Sequence, residues 1–396
     1  MKKYIILILA IAAFTACQNN TSPSFAGDYT LNIQLNDSTK ITLDAQLVKA
    51  GKNYQLHFWN HTELIQSKTF SLDSGTHITL PYFENYLQLD NISEQNIQGL
   101  FINPNKTNYS IPLTLTPNTR PTPKAQSTIK KLYSLEFSPA TDNYYPGQLE
   151  LQEYSDNTIS GTILTETGDY RYLIGTKTAD SFYLNCFDGA HLFYFSGKLK
   201  GDTISNGIFY SGKHWSEPFI GVPSTENNLK NPFDLTKKQG NFTPTIFRDL
   251  SNQNFELNSS IFKQAPLTII QIMGTWCPNC MDENIYYKSL VQQHPQIQII
   301  TVAYEIQKDT TEAIQRIKAY KKELELPWTM LYGGRASKSL SSSHFPYLNE
   351  IISYPTSIFF NQTGEIIKIH TGFYGPGTGK HYTKYTEEME QFLQQF

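Results

Sequence analysis

The sequence predicts a multidomain chain: an N-terminal all-β antiparallel sandwich or barrel region in two related halves, followed by a C-terminal α/β domain. Three observations carry that reading. Residues 27 to about 222 alternate apolar and polar at period two, a weak internal repeat divides this stretch, and from residue 240 onward strand patterns alternate with helical ones. With 396 residues the chain has room for two or three domains.

The chain opens with Met1-Lys2-Lys3-Tyr4, a short apolar run from Ile5 to Phe14, then Thr15-Ala16-Cys17. A basic start, an apolar core and small residues form a secretion signal, too short to stay in a bilayer as a spanning helix. Small residues directly before Cys17 resemble the lipobox of bacterial lipoproteins, which implies cleavage after residue 16, acylation of Cys17 and a polar tether over 17–25. The alternative is an ordinary cleaved signal that leaves Cys17 a free thiol. The tether lacks an acidic cluster, so the folded part is expected to face the periplasm.

In the β-region, Tyr29-Thr30-Leu31-Asn32-Ile33-Gln34-Leu35 and Ile41-Thr42-Leu43-Asp44-Ala45-Gln46-Leu47 alternate cleanly, as does Leu149-Glu150-Leu151-Gln152. Such runs, punctuated by Gly, Asn and Asp, read as antiparallel strands with one buried face. Gly99-Leu100-Phe101, followed by Tyr109, Pro112 and Pro117, matches Gly207-Ile208-Phe209, followed by Trp215, Pro218 and Pro223, with a small indel between. Two related halves are therefore expected, 26–117 and 130–222. They are joined by the stiff, extended Pro117-Asn118-Thr119-Arg120-Pro121-Thr122-Pro123-Lys124. A second polar junction, Pro223-Ser224-Thr225-Glu226-Asn227-Asn228, leads to the third unit, 240–396.

In that unit the apolar run Leu267-Thr268-Ile269-Ile270-Gln271-Ile272-Met273 reads as a strand, followed by a helix over 280–294 that Pro295 stops, and by a buried strand over 297–304. Asp309 and Glu312 have capping-box spacing ahead of a helix whose apolar face is Ala313, Ile314, Ile317 and Tyr320. Residues 357–361 and 365–370 read as a hairpin across Gln362-Thr363-Gly364. Tyr385, Met389, Phe392 and Phe396 form the buried stripe of a terminal helix.

Net charge is −3, with no basic block after the signal, which argues against a nucleic-acid partner. Aromatic residues make up 13% of the chain, in keeping with abundant strand. Of four cysteines, Cys17 goes to lipid, and Cys186 shares strand parity with Phe182 and Leu184, so it reads as a buried, inert thiol.

The remaining pair carries the chemistry. Trp276-Cys277-Pro278-Asn279-Cys280 follows the strand directly and opens a helix. Residues three apart on a helix are neighbours, so the two sulfurs can join and separate without moving the backbone, and the helix N-terminus favours the anion of the first. Cys277 is expected to be the exposed attacker and Cys280 the shielded resolver. Zinc would need a second ligand pair, and no other Cys-x-x-Cys exists in the chain. No metal, flavin or nucleotide is called for. Gly372-Phe373-Tyr374-Gly375-Pro376-Gly377-Thr378-Gly379 looks like a nucleotide loop, but no acidic ribose partner follows it, so it reads as loop geometry.

These residues resemble thioredoxin-fold thiol-disulfide oxidoreductases of the TlpA and ResA type, found as C-terminal domains of exported bacterial lipoproteins. The resemblance spans about 240–396 and rests on Trp276-Cys277-Pro278-Asn279-Cys280, Tyr354-Pro355-Thr356 and Ile369-His370-Thr371-Gly372-Phe373, in that order. It implies that Pro355 is cis and lies opposite the dithiol, leaving the backbone before it free to pair with an extended substrate, with Trp276, Tyr354, Pro355 and Thr356 binding that substrate. It also implies that Glu283 takes the proton of Cys280; the alternative is a helix glutamate that merely favours the dipole. Asp282 is expected to point elsewhere and be solvated. Proline stands first between the cysteines, whereas thioredoxin-like reductases more commonly have it second. No cation sits between the thiols to hold an acidic thiolate, so a strong oxidant is not expected.

The expectation is a periplasm-facing, lipid-anchored enzyme of the cell envelope that reduces disulfides of envelope proteins. By resemblance, a membrane thiol carrier returns the electrons and apocytochrome c is one substrate class. A peroxidase of the same fold would carry Thr or Ser where Gly274 stands. The competing reading is an envelope binding lipoprotein whose β-region recognises a ligand or partner, with the α/β domain as scaffold.

Overall fold

Period-two alternation does build antiparallel sheets in the first two thirds of the chain. The computed structural model describes residues 25–73, 75–118 and 127–396; the signal and tether with Cys17, and most of the first junction, lie outside the described residues. Eight antiparallel strands run from Gly27–Gln34 to Ser110–Pro117. The first pairs both with the second, Lys40–Ala50, and with the last, so chain termini of this unit meet in mid-sheet. The sheet curls until its outer strands nearly touch: Tyr54 pairs with Phe70, and Lys68 N donates to Thr79 O at 3.0 Å. Leu31, Ile33, Ile41, Leu43 and Leu47 point inward, as their alternation requires.

The second half closes fully. Its strands run from Ser127–Phe137 to Trp215–Pro223, the last pairs with the first, and Tyr145–Tyr154 pairs with Thr158–Thr165, so eight strands form a barrel without free edges. Phe137, Phe195, Phe209 and Phe219 fill it. A two-residue strand, Gly168–Asp169, hangs from Thr158–Thr165 as a short arm at the rim. The internal repeat falls on corresponding places, with Gly99 on Ile97–Ile102 and Gly207 on Thr203–Ser211, each the strand before the last of its sheet. Both glycines let a neighbouring strand come close: an added Cβ would sit 2.1 Å from Gln88 O at the first and 2.4 Å from Phe219 O at the second.

The third unit is a seven-stranded mixed sheet. Leu267–Met273 lies inside it, parallel to Ile297–Glu305 and antiparallel to Thr356–Asn361, which pairs in turn with Ile366–Thr371. All seven residues of Leu267–Met273 are buried because both faces are covered, which is why the run is apolar without alternation. Four α-helices pack here: α1 (Pro278–Gln293), α2 (Thr310–Leu324), α3 (Lys338–His344) and α4 (Lys380–Leu393). Asp309 caps α2, accepting from the N–H groups of Thr311 and Glu312, and Ala313, Ile314, Ile317 and Tyr320 are buried beneath it. In α4, Tyr385 and Met389 are buried as expected, but Leu393 completes the stripe, and Phe392 and Phe396 are only partly buried. Among the described residues no helix is long and apolar enough to cross a membrane.

Candidate active site

The central strand ends at Met273, and residues 274–276 turn the chain into α1. Cys277 is the N-cap of that helix, with Pro278 as its first residue, and Cys277 Sγ accepts from Cys280 N at 3.2 Å. The two sulfurs are joined in a disulfide, with Cα atoms 5.2 Å apart. Trp276 is held by its indole N–H, which donates to Tyr304 O at 3.0 Å. A side chain at Gly274 would collide with that indole, its Cβ only 2.3 Å from Trp276 Nε1.

Opposite the disulfide stands the peptide Tyr354–Pro355, which is cis. Cys277 Sγ lies 3.6 Å from Tyr354 O, and Pro355 O accepts from Gly372 N at 2.7 Å. Tyr354 is tied down by its hydroxyl, which donates to Ser341 Oγ at 3.1 Å. Thr356 is fully buried and its hydroxyl donates to Ser353 O, so its side chain serves the turn and does not reach the opening.

Behind the disulfide, Cys280 and Glu283 are both fully buried. Gln271 Nε2 donates to one carboxyl oxygen of Glu283 at 2.7 Å and Ser357 Oγ to the other at 3.2 Å, while Tyr287 OH donates to Ser357 Oγ. Burial raises the Glu283 carboxyl to about 7, with those hydrogen bonds opposing the rise. Glu283 thus lies one helical turn past the second cysteine, buried against Gln271 and Ser357. Glu305 is also buried and raised to about 7 by desolvation; it accepts from Thr275 N and Oγ1, fixing the turn before Trp276.

Two expectations are corrected by what covers this helix. Asp282 is not solvated: it is 7% exposed and paired with Arg171 of the barrel, Nη1 to Oδ2 at 2.7 Å. Burial raises the Asp282 carboxyl, and the Arg171 guanidinium counters that rise. The same guanidinium also pairs with Glu63 of the first sheet, so one buried cation ties all three units together. Cys277, for its part, is not freely exposed. Only 5% of its surface is open, and the barrel arm Gly168–Asp169 lines the same cleft.

That arm docks on residues whose role was not legible in sequence. Asp169 accepts from Gly375 N at 2.6 Å and from Asn279 Nδ2, the residue between the cysteines, at 3.2 Å. Tyr374 OH donates to Thr165 O at 2.7 Å. Gly372 has φ of +79°, and an added Cβ would be 2.3 Å from Thr167 O. The glycine-rich run 372–379 is thus the seat for the barrel, which explains both its glycines and its lack of a nucleotide partner. On the other flank, Arg316 of α2 donates to Tyr82 O, in a loop of the first β-unit, and to Thr275 Oγ1. Cys186 is fully buried inside the barrel, where burial holds its thiol well above the ordinary range.

What remains in front of Cys277 is a cleft of about 480 Å³. Thr165, Thr167 and Phe193 of the barrel form one wall, and Trp276, Ser337 and Tyr354 the other. Among the described residues no group of His, Cys, Asp and Glu is placed to hold a metal.

A disulfide at a helix N-terminus facing a cis-proline is the arrangement of a thioredoxin-like dithiol site. The sporulation thiol-disulfide oxidoreductase A of Bacillus subtilis is 29% identical over 132 residues, which span 33% of this chain and 72% of that protein. The C-terminal unit is of the thioredoxin-like thiol-disulfide oxidoreductase kind. Solved structures similar to this oxidoreductase unit include StoA from Bacillus subtilis (21% identity, TM-score 0.25, covering 36% of this chain and 96% of that one). Another is a thiol-disulfide oxidoreductase from Bacteroides fragilis (13% identity, TM-score 0.27, covering 36% and 97%). A third is a secreted disulfide oxidoreductase of Mycobacterium tuberculosis (13% identity, TM-score 0.27, covering 36% and 95%). The thioredoxin-like match is confined to about a third of the chain, and no family model matches it.

Proposed function

We propose that this chain is a membrane-tethered thiol-disulfide oxidoreductase of the cell envelope, anchored through Cys17, that reduces disulfides in other envelope proteins. The observation that carries the reading is the Cys277–Cys280 disulfide at the start of α1, facing cis Tyr354–Pro355. In the reduced enzyme Cys277 attacks one sulfur of a substrate disulfide as its thiolate. That bond breaks, the leaving sulfur takes a proton, and a mixed disulfide joins Cys277 to the substrate. Cys280 gives its proton to Glu283 and attacks Cys277 Sγ, releasing the second substrate sulfur as a thiol. The substrate has gained two electrons and the enzyme holds its own disulfide, which a membrane thiol carrier reduces again. Trp276, Tyr354 and Pro355 frame the approach, and Thr356 supports the turn behind them.

Replacing Cys280 with Ala blocks the second step. The expected result is a set of envelope proteins linked to Cys277 and released by dithiothreitol. No trapped adduct, together with failure of the unaltered protein to reduce a model protein disulfide, sinks the reading. Ligand retention by the β-region in a protein without reductase activity would favour the binding-lipoprotein reading instead.

A further inference from the structure

Resting on that reductase reading, we infer that the β-region selects the substrate: the site takes an extended, unfolded cysteine-bearing segment with an acidic side chain near the cysteine, and not the surface of a folded protein. The first ground is access. Cys277 lies at the bottom of a cleft of about 480 Å³, one wall of which is the barrel. That volume is in the range of small-ligand sites, whereas docking of two folded surfaces covers about 800 Å² on each partner. The wall is fixed by the buried Arg171 pair and by Asp169, so a folded surface cannot reach the sulfur without displacing the arm.

The second ground is length. A further cavity of about 310 Å³ continues from the cleft, and the two share His191, Ser211 and Trp276. A groove that passes along Trp276 from Cys277 to the junction of both β-units suits a chain lying lengthwise better than a compact small molecule.

The third ground is charge. At the far end Lys106 and Lys213 stand over the ring of Tyr109 at 5.0 and 5.1 Å, and Lys106 Nζ donates to His214 Nε2 at 2.9 Å. Among the described residues neither lysine has a carboxylate within ion-pair distance of 4.0 Å. The one carboxylate that lines this cavity, Glu84, is engaged by Asn105 at 2.7 Å and Gln307 at 2.9 Å. The lining of this cavity carries two cations, Lys106 and Arg316, against the single carboxylate Glu84, an excess of positive charge that attracts a carboxylate on the entering chain.

The test uses the reduced full-length protein and linear peptides whose single cysteine is in a mixed disulfide with cysteamine, flanked by Glu in one series and Lys in the other. A folded protein with a surface disulfide and neutral bis(2-hydroxyethyl) disulfide complete the set. The expected order is Glu peptide, Lys peptide, then folded protein, with the first two about fivefold apart at low salt and converging at high salt. Lys106→Glu should invert the charge preference, and Lys106→Arg should keep it. Equal rates on linear and folded substrates, or a charge preference indifferent to both salt and Lys106→Glu, overturn the inference. Failure to reduce even the neutral small disulfide would instead overturn the reductase reading.

Discussion

Glu283→Gln offers the sharpest probe of the buried carboxyl behind the dithiol. Burial raises this group from 4.5 to about 7. The folded state therefore binds a proton more tightly than the unfolded chain. Its contribution to stability is full below pH 4.5 and is lost as pH rises through about 7. At 1.36 kcal/mol per pKa unit, the shift corresponds to about 3 kcal/mol of destabilisation carried by the carboxylate at pH 8. Glutamine removes the charge and can keep the contacts, accepting from Gln271 Nε2 and donating to Ser357 Oγ. The oxidised variant should thus unfold like the parent at pH 5 and higher by roughly 6 to 12 °C at pH 8, at about 2 to 4 °C per kcal/mol. Thermal unfolding of both oxidised proteins at the two pH values measures this difference, in which other raised groups such as Glu305 cancel. An equal gap at pH 5 and pH 8 would refute the raised carboxyl. In the reduced protein the same substitution should slow release of the mixed disulfide and alter the titration of Cys280.

Two further substitutions address the seat of the barrel. Arg171→Met leaves Asp282 and Glu63 buried without their cation, at a cost of about 3 to 5 kcal/mol, and should speed alkylation of reduced Cys277 by iodoacetamide as the arm loosens; an unchanged alkylation rate counts against a fixed wall. Gly372→Ala forces a left-handed backbone and a contact with Thr167 O, and denaturant unfolding should show a loss of about 1 to 3 kcal/mol, whereas a neutral outcome would mean that the loop has another way to accommodate the barrel.

What could be read from the sequence was what short-range pattern determines. Alternation at Leu31, Ile33 and Leu35 gave the inward faces, Asp309 the start of α2, and Cys277 with Cys280 the dithiol at a helix start. Helix α1 begins at Pro278, two residues before the expected start, because proline suits the first helical position. What escaped depends on partners far along the chain. Closure of the second barrel needs Phe137 beside Phe219, a pairing no local pattern encodes. Asp282 was expected in water because a charged residue on a helix usually is, and only the arrival of Arg171, 111 residues away, makes its burial tolerable. The signal that could have warned of this is the glycine-rich run 372–379, whose small residues mark a close approach by another backbone.

The docked barrel also bears on the direction of electron flow. Around the start of α1 stand Asp169, Asp282 and Glu63, against the single guanidinium of Arg171. Burial raises the Asp169 carboxyl, yet Gly375 N, Arg171 N and Asn279 Nδ2 all direct protons at it, an arrangement that only an acceptor, the ionised form, satisfies fully. For a Cys277 thiolate this leaves the helix N-terminus as the favourable contribution and a set of carboxylates as the opposing one. A strong oxidant depends on stabilising its reduced, thiolate-bearing form. Here the surrounding charge works the other way, because the neutral disulfide escapes a repulsion that the thiolate must bear. In the reductase reading proposed above, the wall that narrows access to Cys277 thus also disfavours its thiolate relative to the disulfide.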